Sequence, residues 1–347
     1  MKYVVVSGEG ILLPIATKLA SEGHDVTLVT KQPIGQGMVK TIPYKPNVLP
    51  ILKAHPSDFI LFDSPKHASC IGQLTAKCLL ISLFSEALSK PAYTRNIIKA
   101  FDLPQVTHAR SRAFTVEGLY NGNTFLTQSV TLPYTRFMNG DIGPDVGYTG
   151  AVTYNKLSKH DKLYNETLGK IEKPLRKTGH RGFVSLECSI EEGALNCSSI
   201  HAGVSIVTLP TFFAGTLVSM TDLVTALCNG GTVSMKQDTY SISVGMSVPP
   251  WPFTLTDPQA QDIKGLCAQH EPHTWFTDLM HKDGYFCPNT SGFVGAVTAR
   301  GRTIRECSRR VYRSIDNITI NNCQYRTDIG SHAESFFGML KRLEFMV

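Results

Sequence analysis

The opening thirty residues restrict the fold more than any other stretch. KYVVVS (2–7) is an unbroken run of strand formers, a turn follows at Ser7-Gly8-Glu9-Gly10, and Leu12, Ile15, Ala16, Leu19 and Ala20 then recur at helical spacing. HDVTLVT (24–30) reads as a second strand and DFILFDS (58–64) as a third. A continuously apolar strand needs cover on both faces, and strand, turn, helix, strand supplies it by winding helices around a parallel sheet. A helix N-terminus after such a turn is a phosphate cradle, which makes Gly8 and Gly10 cofactor-binding candidates. The turn is not a full GxGxxG, because position 13 is leucine, and a tight turn needing positive φ accounts for the same glycines. No small-residue cleavage site follows the apolar run, so the segment reads as folded structure and a cytoplasmic location is expected.

Further along, the texture changes. Residues 76–101 carry a helical pattern with SKPAYTRNIIKAF as its amphipathic part. RAFTVEGLY and TFLTQSVTLPY flank Asn121-Gly122-Asn123 and predict a β-hairpin over 112–135. NGDIGPDVGYTG (139–150) follows, with four glycines, one proline and two aspartates, more than a plain turn requires. A basic, polar helix is predicted over 156–177, a second hairpin from GFVSLECSI and ALNCSSI, and a helix over 208–228. From about residue 235 short strands alternate with turns, and a helix over 302–316 leads into ITI and YRTDIG.

Composition narrows the chemistry. The 347-residue chain has nine cysteines and no CxxC pair, which fits free thiols better than a disulfide framework or a zinc site. His270-Glu-Pro-His273 comes nearest to metal spacing, but its proline favours a surface loop. No apolar run reaches membrane-spanning length, so no membrane partner is expected. The net charge of +6 favours an anionic ligand such as a sugar phosphate, a nucleotide or nucleic acid. Arg300, Arg302, Arg305, Arg309 and Arg310 form a run whose plainest reading is a solvated helix face.

Several motifs, taken in order, resemble the phosphoribosylamine–glycine ligases (GAR synthetases), ATP-grasp enzymes of purine synthesis. MKYVVVSGEGILLPIATKLA is similar to that family's opening, SKPAYTRNIIKAFDLP to its approach helix, and RFMNGDIGPDVGYTG to its signature loop KRxxDGDxGPNTGGMG. DGYFCPNTSGFVGAVTARGRTI and YRTDIG are similar to its C-terminal part. The resemblance implies an α/β fold with an α+β middle, an ATP-grasp ligase-like architecture. Its parts would be a doubly wound N-terminal domain (1–90), a truncated central domain (91–234) and a C-terminal domain (235–347). In the family the signature loop floors the active site. Arg136 and Asp141 match family positions, which implies that Arg136 pairs with a phosphate or carboxylate and Asp141 orients an amine. Gly143, Pro144, Asp145 and Gly147 complete the implied substrate-binding loop, while Tyr148 and Thr149 depart from the family's Gly-Met and imply an altered pocket.

Two departures weigh against ordinary ligation. Between Pro104 and Phe114 the family inserts a lobe with its phosphate-covering loop; this chain crosses with QVTHARSRA. Where the family has LEFNxRFGDPE, this chain has ALNCSSIHAG, which keeps Asn196 and places Ala194, Ser198, His201 and Gly203 at the other polar positions. Magnesium prefers carboxylate oxygens, so no metal is expected and ATP with magnesium is disfavoured as cofactor. Three functions remain open. One is an enzyme joining glycine or a similar amine to an already activated phosphate-bearing acceptor, free or within DNA, with Glu187 or His201 as base. The others are a streamlined ATP-dependent ligase and a binding protein without turnover. Glu187 as a solvent-face strand carboxylate and His201 as a strand-end residue are the structural alternatives.

Overall fold

The computed structural model describes residues 1–31, 33–63, 73–80, 113–201, 208–234, 236–253, 262–266, 273–277, 279–282, 285–288 and 292–347. SKPAYTRNIIKAF, nearly all of QVTHARSRA, and residues 270–272 of the His-Glu-Pro-His segment lie outside them.

The elements begin as the opening pattern predicts: β1 (Lys2–Val6), α1 (Leu13–Ser21), β2 (Asp25–Thr30), β3 (Lys40–Pro43), α2 (Leu49–Ala54), β4 (Phe59–Phe62) and β5 (Lys77–Leu80). All five strands are parallel, in the order β3-β2-β1-β4-β5. Alternation along β1 explains the two layers. Tyr3 and Val5 join the core shared with α1, while Val4 and Val6 pack with Val48 and Leu52 of the α2 side. Residues 77–80 are the edge strand β5, not the start of the helix expected from residue 76.

The middle of the chain forms β6 (Phe114–Tyr120), β7 (Phe125–Met138), β8 (Ile142–Tyr154), α3 (Lys162–Glu166), α4 (Leu168–Thr178), β9 (Gly182–Glu191) and β10 (Ala194–His201). After these come α5 (Leu209–Gly215), β11 (Thr216–Leu217), α6 (Met220–Asn229), β12 (Lys236–Gln237) and β13 (Tyr240–Ser247). The last elements are β14 (Thr274–Phe276), β15 (Leu279–Lys282), β16 (Tyr285–Pro288), β17 (Phe293–Gly301), α7 (Ile304–Asp316) and α8 (Ala333–Arg342). An eight-stranded antiparallel sheet has the order β10-β9-β6-β7-β8-β13-β17-β14, so it takes strands from both sides of residue 235.

Two further helical expectations change. The helix predicted over 156–177 is two helices that meet at Thr167, whose φ of −120° and ψ of −97° leave the helical region. Its hydroxyl donates to the Leu163 carbonyl at 2.5 Å, a local bond that competes with helix propagation. The helix over 208–228 is likewise split, by β11 and by Ser219, which caps α6 by accepting from the Asp222 N–H. The helix α8 was not anticipated.

Residues directly opposite in an antiparallel ladder share a face, and this gives the large sheet two unlike sides. Leu132, Val152, Ile242 and Ala299 form an apolar row. Over the same side Phe336 and Phe337 of α8 pack on Phe114, Tyr154 and Tyr240. The opposite side carries a polar row: Glu187, Thr115, Thr131, Thr153, Ser241 and Arg300 are successive ladder partners. The helix α5 lies against this side, with Gly215 close enough to Asn155 that an added Cβ would fall 2.4 Å from its amide nitrogen.

Candidate functional site

The long hairpin β7–β8 extends beyond the sheet, and its end is the glycine-rich loop. A single helical turn at Asn139–Asp141 reverses the chain, with Gly140 at φ 69° and Asp141 at φ 56°; Gly143 and Gly147 follow at 83° and 76°. Left-handed backbone strains a residue with a Cβ but not glycine, so three of these four positions are explained by local geometry. Asp141 is the exception, and the structure supplies its compensation. Its carboxylate accepts a hydrogen bond from Arg326 Nη1 at 2.8 Å.

Arg326 organises the site. It belongs to YRTDIG, its side chain is 1% exposed, and it donates to Asp328 through Nε and Nη2 at 2.8 and 2.7 Å. It also donates to the Arg136 carbonyl at 3.1 Å and lies over the Tyr134 ring, 5.2 Å from its centroid. A buried guanidinium is tolerated only when its donors are met, and here two carboxylates and a carbonyl meet them. Burial pushes the Asp328 carboxyl up, but hydrogen bonds from Arg326 and from the Gly140 N–H outweigh this and hold it below the usual carboxylate range. Asn139 closes the seam by exchanging bonds with Thr327, donating at 2.7 Å and accepting at 3.1 Å. The loop motif and YRTDIG, nearly two hundred residues apart, therefore form one unit.

On the outer side of the loop, Arg136 is exposed and donates to the Gly143 carbonyl at 2.9 Å. Asp145, opposite Arg136 in the ladder, accepts from the Thr135 hydroxyl at 2.8 Å and the Gly147 N–H at 2.9 Å. Pro144, Asp145 and Gly147 are exposed and Gly143 is half-buried. Tyr148 and Thr149 are both buried. Tyr148 donates to Ser243 at 2.7 Å beside Phe293, and Thr149 donates to the Tyr134 and Arg136 carbonyls. Their bulk fills the sheet below the loop.

Glu187, Asn196 and His201 lie elsewhere. Glu187 accepts from the Ser199 hydroxyl at 2.8 Å, Asn196 pairs with Ser189, and His201 stands opposite Ser185 in the ladder. At strand spacing, Arg136 is about 17 Å along β7 from the Thr131 row, and Glu187 is two strands further across, so the groups are roughly 20 Å apart. The sheet does not bring Glu187 or His201 to the Asp141 loop. Near Glu187 on the same strand face stand Asn196, opposite Ser189, and Glu191, whose Oε1 is buried without a hydrogen-bond partner. Among the described residues no three His, Cys, Asp or Glu side chains converge on a common point.

Packing accounts for Gly10, whereas a Cβ on Gly8 would meet only the Tyr44 ring, at an ordinary 3.5 Å. Ser7 accepts from the Leu12 N–H at 3.0 Å and donates to Asp63 at 2.6 Å, which meets the entry of α1 from within. A Cβ on Gly10 would fall 2.4 Å from the Thr277 carbonyl and 2.6 Å from Ile34.

One group escaped sequence reading. Glu117, in the middle of β6, is 1% exposed, and accepts from Thr115 at 3.2 Å and Thr131 at 3.1 Å. Burial raises its carboxyl to about 7, against the opposing pull of hydroxyl donors from Thr208, Thr131 and Thr115. Alternation in RAFTVEGLY puts it on the Thr115 face, but only the covering helix makes that face dry.

No family model matches the chain. A phosphoribosylamine–glycine ligase of Streptomyces coelicolor is 26% identical over 213 residues, 58% of this chain and 51% of that protein. One from Thermotoga maritima is 23% identical over 221 residues, 60% and 52% of the two chains. The chain thus spans about half the length of the curated relatives it matches. The crystal structure of the Thermotoga maritima phosphoribosylamine–glycine ligase superposes with a TM-score of 0.68 at 14% identity, covering 94% of this chain and all of that one. The biotin carboxylase domain of a single-chain bacterial carboxylase gives 0.59 at 10% identity, covering 94% and 91%.

Proposed function

We propose that this chain, a divergent relative of the phosphoribosylamine–glycine ligases with an ATP-grasp ligase fold, joins glycine or a similar amine to an activated, phosphate-bearing acceptor held at the 136–147 loop. The observation that carries this reading is the Arg326 unit. It holds the loop in strained backbone while leaving Arg136 and the outer loop open to solvent. Glycine-rich backbone admits a phosphate closely, and Arg136 supplies a forked cation for a phosphate or carboxylate. Magnesium-dependent activation is not part of the reading, because Ala194 and Gly203 stand where the family motif has its glutamates. The energy resides in the acceptor. The amine nitrogen forms a C–N bond as the acceptor's C–O bond to phosphate breaks, and the electron pair leaves with the phosphate. Glycine attacks as its free amine, its ammonium proton having gone to water, and the new secondary nitrogen keeps its two hydrogens as an ammonium at neutral pH, so the step assigns no base to Glu187 or His201.

The test is an assay with glycine and three acceptors, each with and without ATP and magnesium: phosphoribosyl pyrophosphate and pyrimidine DNA carrying a 5-pyrophosphoryloxymethyl group, whose leaving groups fit this step, and phosphoribosylamine, which fits only ATP-dependent ligation. Product without nucleotide, lost in Arg136→Ala, supports the proposal. Product that appears only with ATP and magnesium replaces it with ordinary ligation. Saturable acceptor binding with no product under any condition replaces it with a binding protein.

A further inference from the structure

A cavity of about 920 Å³ lies away from the loop, between α1, the α5–α6 region and strands β14–β15; none of residues 136–147 lines it. Its volume falls within the few hundred to about a thousand Å³ usual for small-molecule sites. Met38, Phe213, Leu223 and Phe276 give it apolar walls.

The charges along its wall are unevenly matched. Glu22 is engaged at the start of α6, where it accepts from the Met220 and Thr221 N–H groups at 2.7 and 2.9 Å. Arg300 pairs with Asp238 at 3.1 Å. Lys18, a half-buried residue on the same wall, has no carboxylate within ion-pair distance among the described residues; its ammonium sits 3.8 Å from the centroid of the Trp275 ring. Burial holds that ammonium down to about 7, against the pull of Glu22, with Arg300 adding to the depression. His273 and His281 also face the space. A desolvated cation beside aromatic walls is most stable with an anion in contact.

We infer that this cavity binds a small organic anion with a planar apolar body, its charged group on Lys18 and its ring among Phe213, Phe276 and Met38. Aromatic carboxylates and nucleoside monophosphates share this chemistry.

The probe is 8-anilinonaphthalene-1-sulfonate, titrated into the full chain by fluorescence and calorimetry, with 2-naphthoate and AMP as competitors. One site per chain is expected. Lys18→Met keeps the apolar stem and removes the charge, and Ser21→Trp obstructs the exposed rim; each should weaken the probe at least tenfold with circular dichroism unchanged. Arg136→Ala, in the loop, should leave probe binding intact, which separates this site from the acceptor site. Displacement by 2-naphthoate or by AMP supports the inference and identifies the class of occupant. Failure of both competitors, or titrations of both variants that match the parent chain, overturns it.

Discussion

Arg326 and Glu117 are two buried charged groups with opposite solutions. The guanidinium is met by two carboxylates, whereas the carboxyl is met only by hydroxyls. Removing the cation orphans its partners, so Arg326→Met should cost about 3–5 kcal/mol in urea unfolding. Asp141→Asn, which keeps an acceptor, should cost about 1 kcal/mol; equal losses in the two variants would show that the cluster does not anchor the loop. Glu117 behaves differently. Its folded carboxyl lies at about 7, above the ordinary glutamate value of 4.5. The folded state therefore binds a proton that the unfolded chain releases, and stability falls as pH rises from 4.5 to 7. The penalty is absent below that window and complete above it, roughly 3 kcal/mol at most. Glu117→Gln should raise the melting temperature at pH 8 relative to the parent chain, with much less gain at pH 4.5. A pH-independent difference would contradict this assignment. Neither residue's role was legible from sequence, since a buried charge is made by its neighbours. Arg326 lies 185 residues from Asp141, and Glu117 is dried by a helix that enters ninety residues later.

At the scale of elements, the regular alternation of RAFTVEGLY and TFLTQSVTLPY made the first hairpin readable, and Asn121 fixes its turn by accepting from the Asn123 and Thr124 N–H groups. The opening strand–helix–strand was legible for the same reason, because its periods change cleanly at the glycines. The helix α8 was not. Its apolar residues Ala333, Phe336, Phe337 and Leu340 do keep helical spacing, but His332 makes no side-chain cap, so no start signal precedes them. The glycines of two loops, alike in sequence, differ in what they face. Gly10→Ala would press a Cβ into the Thr277 carbonyl, whereas Gly147→Ala meets nothing within 4 Å and suffers only backbone strain. Chemical unfolding should show a loss of about 1 kcal/mol for Gly147→Ala and clearly more for Gly10→Ala. The reverse order would return Gly10 to the ligand-binding candidates.

For the whole molecule, the motif resemblance anticipated the mixed α/β framework, and the solved Thermotoga maritima ligase superposes over 94% of the chain. It did not anticipate that the loop and the Glu187–His201 hairpin stand at separate places on one sheet, because strand order is a three-dimensional property. That order also carries a practical consequence. Between residues 154 and 240 the ladder passes from β8 directly to β13, well inside the sheet. Severing the polypeptide near 235 would leave each half with a naked interior edge, ready to recruit a foreign strand. Produced singly, residues 1–234 and 235–347 should precipitate. Made together in one cell, they should zip along that seam and co-purify as a complementing pair.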